Sequence, residues 1–216
     1  MKFLEAARNL LPWLGTLTRL VQQVRKGVEI ARKLLAIPQT SYENLLLHLT
    51  LDIKDSRGSR AILSRRQRVR FLVEESGVVR DLVWGEGNPM ARYGVSGARR
   101  LDVVAEGSRR VVLLGLASRP RRGEVAEIEA RRLIRGGFKG KTGYFEALVE
   151  RPTRRLSLQV KFPATRAPRL AHLVVSPPGH RARAVAIGYD ANGRAFLHWS
   201  KSKPLEHRVY SLRWTW

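Results

Sequence analysis

The fold is decided by the stretch ENLLLHLTLDIKD, residues 43–55. Every second position in it is apolar, and most positions between are polar. The apolar series is Leu45, Leu47, Leu49, Leu51 and Ile53. A period of two places these side chains on one face of an extended chain, whereas a helix would need a period of 3.6. The stretch therefore predicts a β-strand with one buried face.

Further short apolar segments follow this strand at intervals of about ten residues, with Gly, Pro, Asn and Ser between them. Asn192-Gly193 in DANGR is a hairpin signal, because both residues tolerate positive φ. RLSLQVKF (residues 155–162) and the closing VYSLRWTW (residues 209–216) alternate large apolar with polar side chains. We predict a mainly β domain over residues 41–216, an antiparallel β-sandwich or barrel.

Residues 1–38 have a different period and predict an N-terminal amphipathic helical segment that ends at Pro38. Its apolar face has three-four spacing, and its polar side is basic. Three roles stay open: packing on the β domain, docking a partner protein, or lying on an anionic membrane surface. The side chains that would dock a partner are Trp13, Leu17, Leu20, Val24, Val28 and Leu35.

The chain has 41 basic and 18 acidic residues, a formal net charge of +23. Such a charge attracts nucleic acid or an anionic membrane, but the basic residues are mostly arginines spread along the chain, as codon bias would also produce. If phosphates bind, we expect the contacts at Arg65, Arg66, Arg68, Lys139, Lys141, Arg154 and Arg155.

The composition also bounds cellular location. Cysteine is absent, which excludes disulfides and thiolate chemistry and agrees with a reducing compartment. No segment reaches the roughly 18 to 20 uninterrupted apolar residues of a membrane-spanning helix. We expect a cytoplasmic protein with no integral membrane span.

The run GGFKGKTGYF, residues 136–145, invites comparison with a phosphate-binding loop. That motif requires Gly, four residues and then Gly-Lys-Thr, between a buried strand and a helix. Arg135 holds the position of the first glycine, and a strand pattern follows instead of a long helix. We predict a glycine-hinged link into a strand near Phe145.

No other pattern predicts catalysis. No pair of the five histidines has the His-Glu-x-x-His spacing of a zinc site, and no serine lies in a Gly-x-Ser-x-Gly context. The paired acids are expected to pair with neighbouring arginines. We predict no catalytic residue, no metal and no cofactor, and hence a protein that is not an enzyme.

Several segments together resemble an uncharacterised β-rich module of bacterial, particularly actinobacterial, signalling and conflict proteins. They are RRQRVRFLVE, VWGEGNPMARY, RLIRGGF, VERPTRRLSLQVKFP and YSLRWTW, within residues 41–216. No activity is assigned to that module, so the resemblance carries over no catalytic residue. It implies an accessory or sensing role.

We therefore expect a non-catalytic accessory or interaction module that docks a partner protein through its helix or its basic surface. The alternative is a sequence-independent nucleic-acid-binding protein that uses an Arg-rich face. A third hypothesis is an enzyme whose site is assembled from loops.

Overall fold

The computed structural model describes residues 41–74, 77–177 and 182–216. These ranges contain strands and loops and no helix, so the prediction of a mainly β fold is confirmed. The strands are β1 (Tyr42–Ile53), β2 (Arg60–Phe71), β3 (Val78–Val83), β4 (Asn88–Ser96), β5 (Arg99–Glu106), β6 (Arg109–Gly115), β7 (Val125–Arg135), β8 (Thr142–Leu148), β9 (Arg155–Lys161), β10 (Leu170–Ser176), β11 (Arg183–Ala184), β12 (Ile187–Tyr189), β13 (Ala195–Ser202) and β14 (Val209–Thr215).

The strands form three sheets. The large sheet has the order β12-β13-β9-β1-β2-β7-β4, the second sheet β11-β10-β14-β8, and the third sheet β3-β6-β5. In the described part of the chain none of them closes on itself, so the barrel alternative was wrong. The large sheet is also mixed, because β1 and β9 are parallel. A parallel pair needs a long crossover, and about a hundred residues, including the third sheet, separate these strands.

The two smaller sheets cover different parts of one face of the large sheet, which we call the inner face. Strand β2 shows the arrangement, since its alternate side chains point inward along its whole length. Ala61 and Leu63 belong to a first core shared with the second sheet. Val69 and Phe71 belong to a second core shared with the third sheet. One long strand thus contributes to both cores.

A β-bulge changes the face on which one predicted core residue lies. The pairing of β1 with β2 shifts between Asn44 and Leu46, so Leu45 is the extra residue. Leu47, Leu49, Leu51 and Ile53 are buried as predicted, but Leu45 is only half-buried and leaves that series. The bulge turns Asn44 inward instead, where its side chain bonds with Gln67 and Thr153.

The predicted turn and C-terminal strand are both confirmed. Asn192-Gly193 connects the antiparallel strands β12 and β13, and Gly193 has φ +70°. β14 pairs with β10 and β8 on its two sides, and Tyr210, Leu212 and Trp214 are buried. Burial of this apolar series holds the end of the chain in the sheet.

Two strands had no clear counterpart in the sequence pattern, β4 and β7. The inward series of β7 is Ala126, Ile128, Ala130, Arg132 and Ile134. The buried Arg132 interrupts the apolar alternation, which is why the pattern was weak.

The predicted N-terminal amphipathic helix, with Trp13, Leu17, Leu20, Val24, Val28 and Leu35, lies outside the described residues. Within the described ranges, no helix has the length and apolar character needed to cross a membrane.

Candidate docking groove on the outer face of the large sheet

The face of the large sheet opposite both cores is its outer face, and it carries mostly polar and charged side chains. The sequence places them there because they alternate with the buried residues of β1, β2, β7 and β9. Several of the predicted phosphate-contacting arginines lie on this face. The outer face is therefore the surface that carries most of the predicted contacts from β2 and β9.

The β1 bulge opens a shallow groove on this face, which we call the bulge groove. Its apolar floor is formed by Leu45 and Leu46. The charged side chains around it come from three neighbouring strands: Arg66 and Arg68 from β2, Glu127 from β7 and Arg155 from β9. Arg68 pairs across the strands with Leu46 on one side and Glu127 on the other.

The charges of the bulge groove do not cancel. Arg66 Nη2 lies 3.2 Å from Glu127 Oε2, and both side chains are more than half exposed. Arg68 and Arg155 are exposed, and neither forms an ion pair with any residue in the described part of the chain. Three guanidinium groups therefore surround one carboxylate, which leaves an excess of positive charge over an apolar floor.

The other predicted phosphate-contacting residues lie elsewhere. Arg65 points to the inner face, where its Nη1 donates to Asp81 Oδ1 at 2.8 Å. Arg154 is exposed and pairs with Glu43 at 3.2 Å. Lys139 and Lys141 are exposed in the loop that joins β7 to β8. Of the seven predicted phosphate-contacting residues, the structure thus brings Arg66, Arg68 and Arg155 together in the bulge groove. The other four, Arg65, Arg154, Lys139 and Lys141, lie outside it.

The glycine-rich loop containing Lys139 and Lys141 is a link between two sheets, since β7 belongs to the large sheet and β8 to the second. The backbone N–H groups of Gly136 and Phe138 donate to the carbonyls of Ser59 and Gly58. Arg166 binds the loop carbonyl of Gly140 at 2.8 Å. A phosphate-binding loop needs its N–H groups free, whereas two of these are already used inside the protein.

Two histidines lie on the outer face, His48 on β1 and His198 on β13, with β9 between these strands. His48 Nε2 lies 2.9 Å from Thr50 Oγ1, and His198 Nε2 lies 3.2 Å from Ser157 Oγ. Burial, together with the positive charge of His198, Arg66 and Lys161, lowers the pKa of His48. No group of three or more His, Asp or Glu side chains suited to a metal ion occurs among the described residues.

No protein-family model matches this sequence, and no curated protein matches it. Among solved structures, a protein from Parabacteroides distasonis ATCC 8503 that carries the provisional name of protease superposes with a TM-score of 0.51 and 9% identity. The alignment covers 82% of this chain and 40% of that one, and it shows a shared fold. An M1 zinc metallopeptidase from Deinococcus radiodurans is similar at a TM-score of 0.44 and 14% identity, over 80% of this chain and 42% of that one. This chain spans less than half the length of either protein.

Proposed function

We propose that this chain is a non-catalytic accessory module that docks an acidic segment of a partner protein on the bulge groove. The observation that carries the proposal is the combination of an apolar floor, Leu45 and Leu46, with an excess of guanidinium groups. Arginine is enriched at protein interfaces because its planar fork binds carboxylates in bidentate fashion. The half-buried leucines between such groups can receive an apolar side chain of the partner.

The groove suits a protein better than a nucleic acid. Glu127 lies within it, and Glu43 lies further along the same face, where it binds Arg70 and Arg154. Carboxylates interspersed among the arginines repel a continuous row of phosphates, whereas an acidic peptide can also place lysines or apolar groups beside them. The nucleic-acid alternative needs a surface of more uniform sign.

The resemblance to modules of bacterial signalling and conflict proteins supports an accessory role in such an assembly, in the cytoplasm. We propose that the N-terminal amphipathic segment provides a second, apolar contact to the same partner. When one contact has formed, it raises the effective concentration of the partner at the other contact, so two contacts on one chain bind more tightly than either alone.

Binding of two probes of equal net charge tests the proposal: a Glu-rich peptide that contains leucines, and a single-stranded oligonucleotide. The test variant is Arg68→Glu/Arg155→Glu, and the matched control, with the same change in net charge, is Lys139→Glu/Lys141→Glu on the loop between β7 and β8. We expect the peptide to bind more tightly than the oligonucleotide and the test variant to lose at least tenfold in affinity. The control should lose little.

Two results would overturn the proposal. Tighter binding of the oligonucleotide, with an affinity that falls steeply with salt, would favour the nucleic-acid alternative. Equal losses in test and control variants would show that only net charge matters and that the bulge groove is not a site.

A further inference from the structure

A second concave site lies at one end of the first core, between β13 of the large sheet and β10 and β14 of the second sheet. Its cavity volume is about 230 Å³, somewhat below the roughly 300–1,000 Å³ of sites for drug-sized ligands, so it suits a small ligand. Its apolar lining consists of Leu173, Val175, Trp199, Leu205 and Tyr210. We call it the inter-sheet cleft. It opens on the inner face of the large sheet, opposite to the bulge groove, and shares no residue with it.

The aromatic side of the inter-sheet cleft is ordered by contacts within the protein. The rings of Trp199 and Tyr210 stack with centroids 5.2 Å apart and planes inclined by 26°. The phenol oxygen of Tyr210 accepts a hydrogen bond from the backbone N–H of Leu205 at 2.9 Å. This bond holds the loop before β14, in which the Leu205 side chain is 51% exposed. An apolar ligand would therefore meet a preformed surface.

The mouth of the inter-sheet cleft is positively charged. Arg183 comes from β11, Lys201 from β13 and Arg208 from the loop before β14. None of the three forms an ion pair with a residue in the described ranges. Arg208 Nη1 donates to the carbonyl of Pro177 at 3.0 Å, which leaves its other donors available.

These three cations have no carboxylate partner among the described residues, and together with the apolar lining they are complementary to one class of ligand. We propose that the inter-sheet cleft binds a small amphiphilic anion, with an apolar body against Trp199, Leu205 and Val175 and a carboxylate or phosphate head between Arg183, Lys201 and Arg208. The apolar body gains free energy from burial, and the head relieves repulsion among the three cations. The proposal is independent of docking at the bulge groove.

The probe for this site is 8-anilinonaphthalene-1-sulfonate, a fluorescent aromatic anion, titrated into the full chain. Decanoate, decyl phosphate and uncharged decanol then compete for it. We expect saturable binding, displacement by decanoate or decyl phosphate at concentrations at least tenfold below that of decanol, and at least tenfold weaker probe binding in Lys201→Gln/Arg208→Gln. The better of the two anions identifies the head group.

The matched control is Arg68→Gln/Arg155→Gln, which removes the same charge from the bulge groove and should leave probe binding unchanged. Circular dichroism melting of both variants verifies that they fold. Equal competition by decanol and decanoate would overturn the proposal, because the head would then be irrelevant. Unchanged probe affinity in Lys201→Gln/Arg208→Gln would also overturn it.

Discussion

Asp81 is a buried carboxylate that joins the third sheet to the large sheet. It is 2% exposed, and it accepts hydrogen bonds from Arg65 Nη1 at 2.8 Å and from the Tyr93 hydroxyl at 2.9 Å. The guanidinium of Arg132, itself 8% exposed, lies 3.8 Å away. One carboxylate thus compensates the buried guanidinium of Arg132 and that of Arg65, whose side chain is 14% exposed. Burial and the charge of Asp81 both raise the pKa of Tyr93, which keeps its hydroxyl proton available for this bond.

The substitution Asp81→Asn tests this cluster. We expect a loss of about 3 to 5 kcal/mol in the free energy of unfolding, because removing one partner leaves the others charged and buried. Urea unfolding measures the loss. The control Glu127→Gln breaks an exposed ion pair and should cost less than about 1 kcal/mol. Similar losses in the two variants would contradict the role given to Asp81.

His48 makes stability depend on pH. Its pKa in the folded protein lies below the ordinary value of 6.5 because of burial and of the positive charge of His198, Arg66 and Lys161. The unfolded chain therefore binds more protons than the folded protein at pH values between the two pKa values. The free energy of unfolding consequently falls as the pH falls through 6.5 towards the lower, folded pKa.

Replacing His48 by Gln should remove this part of the pH dependence. We expect the variant to gain stability relative to the wild type as the pH is lowered from neutral to mildly acidic values. Urea unfolding of both proteins across that range measures the difference. A constant difference would show that His48 titrates equally in the folded and unfolded states.

The C-terminal strand β14 contributes the largest aromatic group of the first core. Trp214 is 1% exposed and contacts the rings of Phe162 at 5.4 Å, Trp216 at 6.0 Å and Phe138 at 6.1 Å between centroids. We expect Trp214→Ala to cost about 3 to 5 kcal/mol of unfolding free energy. Trp216→Ala should cost less, because Trp216 is only half-buried. Thermal or urea unfolding of the two variants measures both losses, and a larger loss for Trp216 would contradict this packing.

The neighbouring strand β8 has a glycine where Trp214 needs room. Gly143 pairs with Trp214 across the strands, and a Cβ at this position would lie 2.4 Å from Trp214 Cζ2. We expect Gly143→Ala to cost about 1 to 3 kcal/mol in the wild type through overpacking. The same substitution should cost less in a Trp214→Ala background. A double-mutant cycle measures this coupling, and additive losses would contradict a steric role for Gly143.

The two cores are joined by strands that take part in both. β1 contributes Tyr42 to the second core and Leu51 to the first, and β2 likewise contributes Phe71 and Leu63. Unfolding of either core would expose half of each strand and break the pairing that continues into the other. We therefore expect a single cooperative unfolding transition for residues 41–216.

The variants Leu212→Ala in the first core and Val112→Ala in the second test this cooperativity. Both should lower the midpoint of one and the same transition, with about 2 to 5 kcal/mol lost for the leucine. Urea unfolding followed by tryptophan fluorescence and by far-ultraviolet circular dichroism should give coincident curves. Two separated transitions, each moved by only one variant, would contradict a shared core.

Much of the sheet content was readable from alternation alone. Leu47 to Ile53 in β1, Leu156 to Phe162 in and after β9, and Tyr210 to Trp214 in β14 have large apolar side chains at every second position. Such a pattern is buried on one face regardless of which strands are neighbours, because the period belongs to the extended backbone. The hairpin at Asn192-Gly193 was equally local.

Tertiary contacts decided how those strands are arranged and which charged groups meet. The parallel pairing of β1 with β9 and the Leu45 bulge depend on partners far along the chain, as does the inward turn of Arg65 and Arg132 towards Asp81. No signal in the sequence joined Arg183, Lys201 and Arg208 at the inter-sheet cleft, since they come from separate elements. Alternation specifies that a side chain leaves one face of a strand, whereas long-range packing determines what that face meets.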